Sequence, residues 1–187
     1  MSTDRTLQRK ESAVYVQTLL EAVKAENRVF EVSGQLEQAV TIIRGNFELR
    51  NTLGDQGVPL AARKNILAEL FTGFDEALLA VLGIMVERED IPLLSRVNEA
   101  YVEAAEEYLG SIILDVTTVV ELDAPLREAI RKKYSAQLGR DVLLREHLDP
   151  SIMGGIVIST HGRRIDASVA SQLESARAVL ADVTSRG

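Results

Sequence analysis

Few residue patterns in this 187-residue chain could do chemistry, and each stops short of a site. Gly154-Gly155 suggests an anion-binding loop, but such loops aim backbone N–H groups at a phosphate and run into a helix, whereas here the β-branched run Ile156-Val157-Ile158 follows. No G-x-x-x-x-G-K-[ST] pattern occurs, so direct nucleotide binding has no support. His147 and His161 have no third ligand at a recognised offset, and the absence of cysteine removes thiolate ligands and thiol nucleophiles. Both histidines read as turn or strand-surface residues. The carboxylates form many pairs with no local grammar to separate an acid from a base. Arg127, Arg131, Lys132 and Lys133 give one helix a basic face, by default a solvated one and alternatively a contact for an acidic helix. No catalytic residue, metal site or cofactor is expected.

The elements that would position these residues fall into two grammars. From Leu7 to Leu109 the pattern is helical: Ala13, Val16, Leu20 and Val23 form one stripe, opposed by Gln17, Glu21 and Lys24, and Val29, Val32, Leu36, Ala39 and Ile43 form a second. A short helix over Phe47–Leu53 and one entered at Pro59 and ended at Gly73 follow. Asp75 is placed to cap a helix over Glu76–Glu87, and Asp90 to cap the next, which ends before Gly110. After Gly110, Ser111–Glu121 reads as a strand, Asp123 and Pro125 open a helix closed by Gly139, and Asp141–Leu148 reads as a second strand. A hairpin around His161-Gly162 then joins the Ile156 run to Arg163–Asp166, with Asp166 or Ser168 capping a last helix. The fold class is therefore α+β in two domains, a six-helix bundle over 1–108 and a small mixed α/β sheet domain over 109–187.

Composition narrows the partners. Residues 1–108 hold 11 Lys+Arg against 18 Asp+Glu, a net of −7, while the remainder is balanced at 10 and 10. That acidic half repels phosphate backbones, so a basic protein segment suits it better than nucleic acid, although the surplus also serves solubility. The opening MSTDRTLQRKES lacks the apolar core of a secretory signal, and the longest apolar run, Ala77–Val86, is about half of what a bilayer-spanning helix needs. Membrane association is expected only through a partner.

The apolar residues say more. In Ala77–Val86 a helix is greasy all round, so a bundle covers one face through Leu78, Leu82 and Met85 and leaves Leu79, Ala80 and Ile84 uncovered. The first helix shows a similar excess in Tyr15, Leu19 and Ala22. If the two helices are neighbours, their spare faces make a groove for an amphipathic helix; the alternative is a fully enclosed central helix. Farther on, Val169, Leu173, Ala176, Leu180 and Val183 form a seam on the last helix, for its own sheet or a partner.

Residues 149–173 resemble the C-terminal signature of the delta subunit of F-type ATP synthases, whose mitochondrial counterpart is the oligomycin-sensitivity-conferring protein. Asp149, Ile152, Gly154, Gly155, Ile165, Asp166, Ser168 and Leu173 match that pattern in place, and Ala167 stands where the family usually has glycine. A weaker likeness covers the N-terminal half, through the bundle layout, Tyr15, and Glu87–Leu94. The resemblance implies a non-catalytic stator subunit on the cytoplasmic face of the inner (plasma) membrane, tying the catalytic head to the peripheral stalk. Its members hold an N-terminal helix of the alpha subunit between their first and fifth helices, which implies a groove of Tyr15, Leu19, Leu79, Ala80 and Ile84. Their C-terminal domain meets the C-terminal helices of the b subunit. The competing reading is a small enzyme or nucleotide-binding protein with a helical N-terminal domain, using Asp166 or a histidine. Convergent polar groups in a pocket would favour it, and an exposed apolar groove would favour the adaptor.

Overall fold

The computed structural model describes residues 2–152, 155–160 and 163–168. The chain divides into two compact units, Met1–Tyr108 and Leu109–Gly187.

The first unit is built from α1 (Ser2–Lys24), α2 (Val29–Gly45), α3 (Phe47–Gly54), α4 (Leu60–Leu70), α5 (Glu76–Glu87), a 3-10 turn (Ile91–Leu93) and α6 (Leu94–Leu109). Local chemistry sets the helix ends. Asn46 Oδ1 accepts from Leu49 N at 3.0 Å to start α3, and Asp75 Oδ1 accepts from Ala77 N at 2.8 Å to start α5. Asp75 also pairs with Arg28, and its backbone N donates to Gln35 Oε1 at 2.8 Å, so the start of α5 is tied to α2 and the residue preceding it. Asp90 departs from expectation. Its side chain caps nothing, because its carboxylate accepts from Tyr15 Oη at 2.5 Å, and a 3-10 turn intervenes before α6. A tertiary partner has outcompeted the local cap.

The core of this unit includes Leu19, Val23, Val32, Leu36, Leu78, Leu82, Met85 and Tyr101, all buried. Each such apolar side chain contributes about 1.5–3 kcal/mol. On α1 the buried face is Ser12, Tyr15, Val16, Leu19, Leu20 and Val23, whereas Ala13 is exposed. Val16, Leu20 and Val23 are buried as read from hydrophobicity, while Ala13 gives way to Tyr15 and Leu19, which fill more volume.

In the second unit β1 (Ser111–Thr118) and β2 (Asp141–Leu148) are parallel, in register from Ser111↔Asp141 to Thr118↔Leu148, and α7 (Ala124–Leu138) crosses between them. β3 (Gly155–Thr160) runs antiparallel to β1, and β4 (Arg163–Ser168) antiparallel to β3, giving the order β2-β1-β3-β4. Leu114, Val116, Val142 and Ile158 of the sheet pack with Leu122, Ile130 and Tyr134. Asp123 Oδ1 accepts from Leu126 N at 2.8 Å to start α7, and Gly139, at φ 68°, ends it in a left-handed conformation that costs glycine little.

One reading changes here. β1 ends at Thr118, not Glu121, because Thr118 Oγ1 turns to the carbonyl of Val120 at 2.7 Å and Thr118 O accepts from Asp149 N at 2.9 Å. Asp166 lies in β4 opposite Val157, and the helix that it or Ser168 is expected to cap falls outside the described residues. Gly154, His161, Gly162 and the seam Val169, Leu173, Ala176, Leu180 and Val183 lie outside the described residues.

A fragment of residues 1–108 is expected to be helical and to melt cooperatively, since its buried residues form a core within those bounds. Circular dichroism through a thermal melt checks this; a coil-like spectrum from the fragment beside a folded full chain would refute it.

Candidate functional site

Helix α5 is apolar on all sides and has neighbours on only some of them. Leu78, Val81, Leu82, Met85 and Val86 are buried, Leu79 is half-buried, and Ala80 and Ile84 face water, Ile84 with 44% of its surface. α1 and α4 flank it. Between α1 and α5 lies an open cleft lined by Glu11, Val14, Tyr15, Thr18, Val81, Ile84 and Arg88. Val14, 64% exposed, stands on its α1 wall. An exposed isoleucine and valine on facing walls make a surface that gains from being covered.

Of the five residues assigned to this groove, the structure brings Tyr15 and Ile84 to the α1/α5 cleft and Leu79, Ala80 and Ile84 to a second one. The exception is Leu19. It is fully buried, a core residue of the bundle, so it offers no surface to a partner; Val14 and Thr18, five and one positions away, form the α1 wall with Tyr15 instead. Tyr15 is buried too, though it lines the cleft, and its hydroxyl is held by the bond to Asp90. Burial, and then that bond, push its hydroxyl ionisation well above the ordinary tyrosine range, so Tyr15 stays neutral and donates.

The second cleft lies between α4 and α5, lined by Lys64, Leu67, Ala68, Leu79, Ala80, Gly83 and Ile84. Sequence reading missed it, because nothing in the α4 pattern says which helix it packs against. Ile84 is shared, a ridge between two troughs. A Cβ on Gly83 would meet Lys64 Cε at 3.9 Å, so packing within the unit does not demand glycine there; its bareness lowers the floor of the trough. Lys64 Nζ bonds Glu87 at 2.7 Å along the rim.

Polar side chains converge in the second unit, on the sheet. Asp115 of β1 lies opposite Arg145 of β2, and the parallel register places His147 two residues on, along the same face. Arg145 grips the carboxylate through Nε–Oδ1 at 2.5 Å and Nη2–Oδ2 at 3.0 Å, and His147 Nε2 approaches Oδ1 at 3.2 Å. Burial by itself would raise the Asp115 carboxyl, but the hydrogen bonds from His147 and Arg145 outweigh it and hold the group below the usual carboxylate range. A carboxylate so stabilised is a poor general base, so this is an ion-pair network, not an acid/base pair.

Because the folded-state pKa of Asp115 is depressed, its contribution is full at neutral pH and is lost as pH falls below about 4 through the lowered value. Asp115→Asn is therefore expected to cost about 3 kcal/mol at pH 7. The gap from the natural chain should narrow below pH 4, as read by urea unfolding across pH; a pH-independent gap would refute the linkage.

The remaining motif positions are mostly backbone-forming. Gly155 opens β3 at φ 85°, a conformation that disfavours any side chain, and Asp149 Oδ1 accepts from Ser151 N at 2.8 Å to make a turn. Asp166 and Ser168 belong to β4.

The model of the family described as ATP synthase delta (OSCP) subunit matches residues 12–180. This chain belongs to that family. It is 25% identical over 160 residues to ATP synthase subunit delta of Flavobacterium psychrophilum, covering 86% of this chain and 90% of that one. To the subunit delta of Prochlorococcus marinus strain MIT 9301 it is 30% identical over 161 residues, covering 85% and 89%. Among solved structures, a chain of the Toxoplasma gondii mitochondrial ATP synthase hexamer shares the fold, with a TM-score of 0.50 at 20% identity over 90% of this chain and 96% of that one. The chain is thus a non-catalytic peripheral-stalk subunit of an F-type ATP synthase, linking the catalytic head to the membrane sector so that rotation is coupled to proton transport. Among the described residues no helix is long and apolar enough to cross a membrane.

Proposed function

We propose that this subunit works as a two-ended tether. Residues 1–108 bind the catalytic head by taking an N-terminal helix of the alpha subunit into the troughs beside α5, and residues 109–187 bind the C-terminal helices of the b-subunit stalk. The complex then carries it on the cytoplasmic face of the inner (plasma) membrane. The observation that supports this reading best is the uncovered apolar ridge at Ile84, with Val14 exposed across the cleft. An amphipathic helix set there by i, i+3, i+4 anchors would cover both walls. The acidic balance of residues 1–108 favours an occupant with basic flanks. A tether under torque needs two separate interfaces, and the division of the chain into two units supplies a place for each.

The test is simultaneous binding. The full chain, mixed with the alpha-subunit N-terminal peptide and the water-soluble segment of the b subunit, should form a ternary complex in analytical ultracentrifugation, with neither partner displacing the other. Competition between them would overturn the two-ended reading.

A further inference from the structure

The topology of the second unit gathers three exposed apolar side chains at one corner. Val120 is 71% exposed, Leu148 56% and Leu126 40%. β1 and β2 are parallel, so their carboxyl ends share an edge, where Thr118 pairs with Leu148 and where α7 begins. The Thr118 hydroxyl bond to the carbonyl of Val120 holds Val120 at that edge. Arg127, next to Leu126, forks onto Glu146 of β2 through Nε–Oε1 at 2.5 Å and Nη2–Oε2 at 2.9 Å. Glu146 lies two residues before Leu148 on the same face of the strand, so that fork brings the first turn of α7 beside Leu148. The corner is braced by side-chain bonds on both sides, yet its apolar surface faces water.

The charges that frame it are acidic. Glu121, Asp123 and Asp149 stand in the segments that frame it, and the cation closest in sequence, Arg127, is engaged by Glu146. An apolar corner framed by carboxylates suits an amphipathic segment with Lys or Arg beside its anchors and disfavours an acidic one. We infer that this corner is the docking surface for a basic amphipathic helix of the stalk. The inference rests on the reading that residues 109–187 hold the b subunit, and it names the surface and the charge of the occupant. The helix crosses the first turn of α7 and does not run along it, because Arg131, Lys132 and Lys133 farther on would repel it.

The experiment measures affinity of the full chain for the water-soluble segment of the b subunit by calorimetry, with the alpha-subunit N-terminal peptide titrated in parallel. Leu148→Arg is expected to weaken b-segment binding about 100-fold, by loss of the anchor and repulsion of a basic helix, and Leu148→Glu about tenfold, the anchor alone. Val120→Arg, at a position too exposed to disturb the core, should follow Leu148→Arg in direction. All three variants should bind the alpha peptide as the natural chain does, which controls for folding. Undiminished b-segment binding by Leu148→Arg and Val120→Arg would overturn the corner while leaving the stalk reading intact. A larger loss for Leu148→Glu than for Leu148→Arg would overturn the basic occupant. A natural chain that does not bind the b segment would overturn the stalk reading and the inference with it.

Discussion

Membranes stripped of this subunit are expected to lose ATP-driven proton pumping entirely, while the detached catalytic head goes on hydrolysing ATP. The chemistry of hydrolysis needs nothing from this chain, whose best-defined polar cluster spends its carboxylate on Arg145 and His147. Rotation performs work only against a fixed frame, so without a tether the head turns with the rotor and hydrolysis runs uncoupled. Adding back the full chain should restore pumping. Residues 1–108 alone should not, nor 109–187 alone, because each would hold one partner without joining the two. Fluorescence quenching of a pH-sensitive dye in inverted vesicles, with phosphate release measured beside it, reads both quantities. Restoration by one fragment would show that the other unit is dispensable to coupling, and phosphate release by the isolated chain would contradict a non-catalytic role.

Ile84→Asp is expected to weaken binding of the alpha-subunit N-terminal peptide about 100-fold while the bundle stays folded. The loss combines a missing apolar contact with desolvation of a carboxylate when the occupant covers it, roughly 3 kcal/mol together. Before binding, that carboxylate sits in water, since Ile84 is 44% exposed, so the free protein bears little of the cost. Leu19→Ala gives the opposite pattern. Leu19 is enclosed by the core, and its truncation should cost about 3 kcal/mol of bundle stability. Any loss of peptide affinity should then track the fraction unfolded. Thermal melts paired with peptide titration separate the two: a bundle unfolded by Ile84→Asp would place Ile84 in the core and end the groove assignment.

The contrast between Leu19 and Ile84 shows where sequence reading stopped. Both were assigned to one groove because both stand on helices richer in apolar residues than a single buried face requires. The α5 segment could be read well, since a helix greasy on every side must either be enclosed or leave a strip bare, and Leu78, Leu82 and Met85 do face the core. On α1 the choice between Ala13 and Tyr15 for the centre of the buried face depended on the volume to be filled beneath it, which no periodicity records. Asp90 is a similar case. Locally it is a good cap, but the Tyr15 hydroxyl, 75 residues earlier in the chain, reaches it first.

By itself the sequence determined the helix order, the switch of grammar at Gly110, the caps at Asp75 and Asp123 and the stop at Gly139, because these depend on side chains within a few residues of the backbone they satisfy. Its C-terminal motif also determined the family. Only the tertiary structure decided that α5 keeps a bare flank and is not enclosed, that α4 supplies a second trough, and that Asp115, Arg145 and His147 meet. The corner at Val120, Leu126 and Leu148 likewise depends on the parallel pairing of β1 with β2. These features arise from the register and packing of segments distant in sequence, where each residue's environment is set by neighbours that its own local pattern does not encode.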